Sequence, residues 1–208
     1  MDHQKTGTHQ VLFTLCLAIV FWYLIFGAKL MNFWLSMAIA ATILAGLSIL
    51  FNGVPFAKKD FNTRAIILGL VSALVLYLLF RLGNTISQWI FTFSQGQVAS
   101  IYDIRTQGPA IAIGLVLVFI TSPAEEIFWR GFIQKWAMEK YGNLWGWLLG
   151  SGIYAGVHIT SGNFMLVMAA LVAGLFWGLM YWQERNLVSC IISHCVWTVG
   201  IFLLFPIM

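Results

Sequence analysis

The chain has 208 residues, of which 61% are hydrophobic and 9% charged, with a formal net charge of +4. That balance excludes an ordinary water-soluble domain, in which about 25% of residues are charged. It suits a membrane protein of about six to eight helical spans, each of ~20 residues. The eleven Lys and Arg are scattered between apolar stretches and form no basic stripe. Nucleic acid is therefore excluded as a partner, and the lipid bilayer is implied instead.

In chain order, hydropathy marks a first span at 11–28, a second at 30–51 and a third at 65–82. The fourth starts near Pro109, the fifth near Leu144 and the sixth near Asn163, and the last runs over 187–206. No small-residue cleavage site follows the first span, only Lys29 and a further apolar stretch, so it reads as an uncleaved helix. Segment 83–108 is polar with interleaved Trp89, Phe91, Phe93 and Tyr102, the pattern of an interfacial helix plus loop. No repeat or linker divides the chain. The expectation is one all-α, polytopic helical membrane domain over 1–208, with about seven transmembrane helices and an interfacial helix. Cys16, Cys190 and Cys195 lie in apolar stretches without metal-type spacing and read as small buried hydrophobes. The ten tryptophans read mostly as interface anchors and lipid-facing bulk. Gly142, Gly146, Gly150, Gly152, Gly156, Gly174 and Gly178 read as sites of close helix approach.

Seven spans place the termini on opposite sides, and the basic residues set the direction. The N-terminal side holds Lys5, Lys58, Lys59, Arg64, Arg130, Lys135, Lys140 and Arg185, against Lys29, Arg81 and Arg105 on the other. Positive residues favour the cytoplasm. The N-terminus is expected in the cytoplasm and the C-terminus outside, in the cytoplasmic membrane of a bacterium or archaeon.

Two of the seven acidic residues, Glu125 and Glu126, are adjacent within the apolar run FITSPAEEIFWRGF. A charge at the bilayer centre costs about 2.5–3.5 kcal/mol even on a lenient scale, so such residues mark a functional site by default. His3 and His9 lie in the tail before the first span, whereas His158 and His194 lie in apolar helices. The fourth and fifth spans form a hairpin turning at Tyr141-Gly142-Asn143. Glu125 and His158 are equidistant from that turn, which puts both ~25 Å along antiparallel helices. His194, about eight residues above the break at Arg185-Asn186, lies ~12 Å into the membrane by the same rise. Glu126 and Arg130 are i,i+4, the spacing of a structural ion pair. Glu125 is turned ~100° away and is the better candidate for a reactive carboxylate facing the histidines. Pro123 frees backbone carbonyls beside it and can kink the helix.

At these residues the chain resembles the CPBP intramembrane proteases, which include the type II CAAX prenyl endopeptidases (the Abi family). Glu-Glu-x-x-x-Arg at Glu125, Glu126 and Arg130 is similar to the first family motif. Tyr154 and His158 match the second, aromatic-x-x-x-His, where Phe is commoner at the first position. The run Gly174-Leu175-Phe176-Trp177-Gly178 is similar to the third. His194 meets the last motif, His-x-x-x-Asn or Asp, but Thr198 stands where the Asn or Asp belongs. The resemblance covers roughly 109–208, which makes the fourth to seventh helices the catalytic ones.

The resemblance implies a CAAX-protease-like hydrolase. Glu125 and His158 would activate a water, and His194 would stabilise the oxyanion formed at a peptide carbonyl, with Thr198 in the position of the further polar group. The implied substrate is a membrane-associated peptide or protein with a prenylated or otherwise hydrophobic end. The resemblance favours a reaction without a metal; if zinc is bound, Glu125, His158 and His194 are its ligand types. Other protease chemistries fit worse, because no Asp falls in a span, no His-Glu-x-x-His occurs, and Leu149 stands where a rhomboid-type glycine would precede Ser151. Two further readings compete: a non-catalytic immunity or scaffold homologue with a degenerate site, and a proton-coupled transporter relaying through Glu125 and His158. The transporter lacks the expected inverted repeat.

Overall fold

The computed structural model describes residues 6–207, so His3 and Lys5 lie outside the described residues. The chain is a bundle of helices, with no strand among those residues. The helices are α1 (Thr8–Ala28), α2 (Phe33–Asn52), α3 (Thr63–Ile90), α4 (Ser94–Tyr102), α5 (Ala110–Tyr141), α6 (Asn143–Val157), α7 (Phe164–Glu184) and α8 (Leu187–Leu204). Asparagines start four of them: Asn32, Asn62, Asn163 and Asn186 each accept a first-turn backbone N–H through the side chain. That satisfies a donor the helix itself leaves open. Gly142, at φ 84°, breaks the chain between α5 and α6.

Six helices, all but α4 and α6, are long and apolar enough to cross a bilayer. The fifth expected span is where the structure differs. Helix α6 has 15 residues, ~22 Å at 1.5 Å per residue, and falls short of the ~30 Å hydrocarbon core. It continues into a 3-10 turn, His158–Ser161, and with that turn runs alongside α7. Arg185, just past the end of α7, donates to Asn143 at the start of α6 over 2.6 Å. The fifth expected span is therefore a short helix with a tight turn, and the turn begins at His158. The interfacial segment also differs. Gly83–Ile90 extends α3, and only Ser94–Tyr102 forms the separate helix. Its apolar residues continue the α3 pattern, which a polar-composition reading undervalues.

The two ends of the bundle differ in charge. At one end Lys140 reaches Thr8 (3.2 Å), Lys135 reaches Asn52 (3.3 Å) and Arg64 pairs with Glu184 (2.9 Å). At the other, α4 is tied down by Asn163 Nδ2 on the Gln97 carbonyl (2.9 Å) and by Ile207 N–H on Tyr102 Oη (3.1 Å). The Tyr102 hydroxyl also donates to the Ile201 carbonyl. Burial raises its pKa above the ordinary phenol value.

The α5–α6 hairpin closes through Gly146, where a Cβ would stand 2.3 Å from the backbone nitrogen of Met138. Gly142, Gly152 and Gly156 face open space, so these three are not points of close approach. Cys16 is exposed, contrary to its expected burial, while Cys190 is buried and Cys195 partly so. The largest apolar cluster joins α1, α2, α5 and α6 through Trp22, Leu44, Trp129, Phe132, Ile133 and Tyr154. Three of the ten tryptophans, Trp22, Trp129 and Trp177, are no more than 2% exposed, so they are core residues and not anchors.

Candidate active site

Helix α5 carries Glu125, Glu126 and Arg130, and it is not a regular α-helix. The α-helical turn Ser122–Phe128 sits between two π-helical segments, Leu117–Thr121 and Trp129–Gln134. Pro123 supplies a cause for the first. It has no N–H, and its ring would meet the carbonyl four residues back, at Phe119. The chain widens there, and Ser122 N–H bonds to the Leu117 carbonyl five residues back. The result is a widened helix in place of the expected simple kink, with both glutamates held between two bulges of the kind often found at functional sites.

Glu126 is fully buried and paired twice through one oxygen. Arg130 Nη1 donates to Oε1 over 3.1 Å, and His194 Nδ1 meets the same atom over 2.8 Å. Arg130 is itself 2% exposed; it donates also to the Ala173 carbonyl (3.4 Å) and lies over the rings of Tyr154 and Trp177. Trp177 stacks on His194 at 4.0 Å between centroids, and its indole N–H donates to Ser193 Oγ. The second oxygen of Glu126 has no hydrogen-bond partner among the described residues.

Glu125 takes a different partner. Tyr154 Oη, from α6, donates to Glu125 Oε2 over 3.2 Å. Glu125 is 9% exposed against 0% for Glu126, so of the two carboxylates it is the one with an open side. Its Oε1 makes no hydrogen bond among the described residues, and neither does His194 Nε2.

No hydrogen bond joins Glu125 to either histidine among the described residues. His194 pairs with Glu126. His158 is the first residue of the 3-10 turn, so its ring folds back on its own helix: Nδ1 lies 2.8 Å from the Tyr154 carbonyl. Its Nε2 accepts from the indole N–H of Trp22 on α1, over 3.1 Å. Equal height holds for a continuous α-helix through His158, and the helix ends one residue earlier, at Val157. Glu125 and His158 are linked only through the two ends of Tyr154. Thr198, one turn beyond His194, makes no hydrogen bond to this set among the described residues. It lines an apolar groove of about 400 Å³ with Trp197, Ile201 and Phe202, and its hydroxyl is unpartnered.

A family model described as type II CAAX prenyl endopeptidase Rce1-like matches residues 107–200, the stretch that carries Glu125, Glu126, Arg130, Tyr154, His158 and His194. Over that stretch, a little under half of the chain, the sequence is similar to the Rce1-like family. No curated protein and no solved structure matched the chain. The family is one of endopeptidases, and its setting here is an integral membrane protein of apolar helices.

A zinc ion does not fit the Rce1-like residues as they stand. The nitrogen of His158 that faces a carbonyl must carry the proton, and the other already accepts from Trp22. His194 turns one nitrogen to Glu126, and no three His, Cys, Asp or Glu among the described residues are grouped to hold a metal. Trp22 is the contact the sequence did not announce. It lies 136 residues from His158, outside the Rce1-like stretch, in a span whose composition reads only as lipid-facing. Trp177, inside the glycine-bounded run, was legible as part of a motif but not as the stacking platform of His194.

Proposed function

We propose that the chain is an intramembrane endopeptidase that hydrolyses a peptide bond of a membrane-associated substrate, with Glu125 as general base toward water. The observation that carries this reading is the division of labour between adjacent carboxylates. Glu126 is committed to Arg130 and His194, whereas Glu125 keeps one oxygen free on the more open side. A carboxylate fixed by one hydrogen bond from Tyr154 and free at the other oxygen can accept a proton from a water. The Glu126 carboxylate orients the His194 imidazole through Nδ1, as a buried carboxylate orients the histidine of a triad. The Nε2 of His194 is then the atom that faces the scissile carbonyl; it donates there only as the imidazolium, in which both ring nitrogens carry protons, and such a donor aimed at a developing oxyanion contributes about 3–4 kcal/mol.

The substrate class follows from the family description: a peptide bearing a prenylated or otherwise hydrophobic end, delivered from the bilayer. The N-terminus is placed in the cytoplasm. Lys58, Lys59, Arg64, Lys135, Lys140 and Arg185 belong to the end of the bundle that joins α1, α2, α5 and α7, and Lys29, Arg81 and Arg105 belong to the opposite part. The purified chain in nanodiscs, given a farnesylated peptide with a C-terminal CAAX sequence, should shorten it, as read by mass spectrometry. Glu125→Gln should remove that activity while the protein stays folded. Equal shortening by the variant would overturn the assignment.

A further inference from the structure

We infer that Trp22 is a positioning residue for His158, capping its one basic nitrogen, so that α1 controls when that imidazole can take part in the reaction. The inference rests on the proteolytic reading for its consequence but not for its geometry. The Tyr154 carbonyl can only accept, so the proton of neutral His158 sits on Nδ1, 2.8 Å away. The lone pair is then on Nε2, and the Trp22 indole N–H, which can only donate, points at it over 3.1 Å. Both nitrogens are therefore assigned by the chemistry of their partners. In this arrangement His158 has no atom left with which to accept a proton from water or from Glu125.

The surroundings of the contact are built to hold it. Trp22 is 0% exposed and stands edge-on to both Trp129 and His158, with Phe26 tilted against the same imidazole. Immediately after Trp22 the helix changes to a π-helical segment, Tyr23–Ala28. That segment packs on the turn bearing His158 through Gly27, where a Cβ would stand 3.0 Å from the Thr160 carbonyl oxygen. The absence of a side chain at Gly27 lets α1 approach closely enough for Trp22 to reach Nε2. A π-helical segment can pass its extra residue along the helix, which gives α1 a way to release the cap without leaving the bundle.

The test is nitrogen NMR of the full chain in nanodiscs, labelled at histidine and assigned by comparison with His158→Ala, together with cleavage rates. In the wild type, His158 should resonate as the Nδ1–H tautomer with a hydrogen-bonded Nε2. Trp22→Phe keeps an aromatic ring against Trp129 but removes the donor; the Nε2 resonance should move to that of an unbonded basic nitrogen. Cleavage should then rise about two- to tenfold, the factor carried by one net hydrogen bond. Phe26→Leu loosens the same packing without touching the hydrogen bond, and it should leave the His158 resonances in place. An Nε2–H tautomer in the wild type, or an unmoved Nε2 in Trp22→Phe, would overturn the inference. So would an equal displacement in Phe26→Leu. The NMR arm needs no substrate, so a chain that cleaves nothing would sink the proteolytic reading and leave the capping result to stand on its own.

Discussion

Removing Arg130 should unfold the bundle more readily than removing any other single charge. The guanidinium is 2% exposed, donates to Glu126 Oε1 at 3.1 Å and to the Ala173 carbonyl at 3.4 Å, and lies 4.7 Å from the Tyr154 ring and 5.3 Å from that of Trp177. Arg130→Ala leaves Glu126, at 0% exposure, with a charge whose only remaining partner is His194. Breaking a buried pair from one side costs about 3–5 kcal/mol, and losing the aromatic contacts adds about 0.5–2 kcal/mol. The expected total is about 3.5–7 kcal/mol. Glu126→Ala/Arg130→Ala removes both charges, so it should cost less than the sum of the single changes, by about 0.5–3 kcal/mol. Unfolding by a denaturing detergent, followed through tryptophan fluorescence, measures all three variants. A loss below about 1 kcal/mol for Arg130→Ala would mean that the pair is as weak as a surface ion pair, and the brace assignment would fail.

Three further outcomes follow from named contacts. Tyr154→Phe deletes the donor to Glu125 at 3.2 Å; cleavage should fall about tenfold with little change in stability, since one hydrogen bond to a charged group is worth about 1.5–3 kcal/mol, and an unchanged rate would remove Tyr154 from the site. Gly146→Ala drives a Cβ to 2.3 Å from the Met138 backbone nitrogen and should destabilise the hairpin by about 1–3 kcal/mol or more. Gly152→Ala enters open space and should be neutral or stabilising by up to about 1 kcal/mol; melting curves that rank the two the other way would refute the α5–α6 register. A reporter fused after Met208 should be active only on the outer face of the membrane, and activity in the cytoplasm would reverse the orientation.

Much of the bundle is written in local pattern. The apolar spans, the turn at Gly142 and the Glu126–Arg130 spacing depend on residues within a few turns of one another, and the structure places all three. The partners of the histidines depend on where helices stop being regular. His158 begins a 3-10 turn, and the glutamates ride between two π-helical segments. A constant 3.6-residue period misplaces side chains beyond such points. It therefore does not reveal that the direct bond of His194 is to Glu126. The apolar character of the first span concealed Trp22, because an indole in a hydrophobic helix reads as an anchor until a distant acceptor is found for its N–H. The ordered motifs from Glu125 to His194 point to the family whose model matches this stretch, because motif spacing survives helix irregularity. Thr198 departs from the motif, and it lines the apolar groove.

The central claim is that Glu125 performs peptide hydrolysis in the membrane. Its most direct test compares, by mass spectrometry, the peptide termini of membranes from cells expressing the wild type with those from cells expressing Glu125→Gln at equal levels. The account predicts at least one membrane-associated peptide whose C-terminal end is shortened only with the wild type. Identical termini in the two membranes would contradict it.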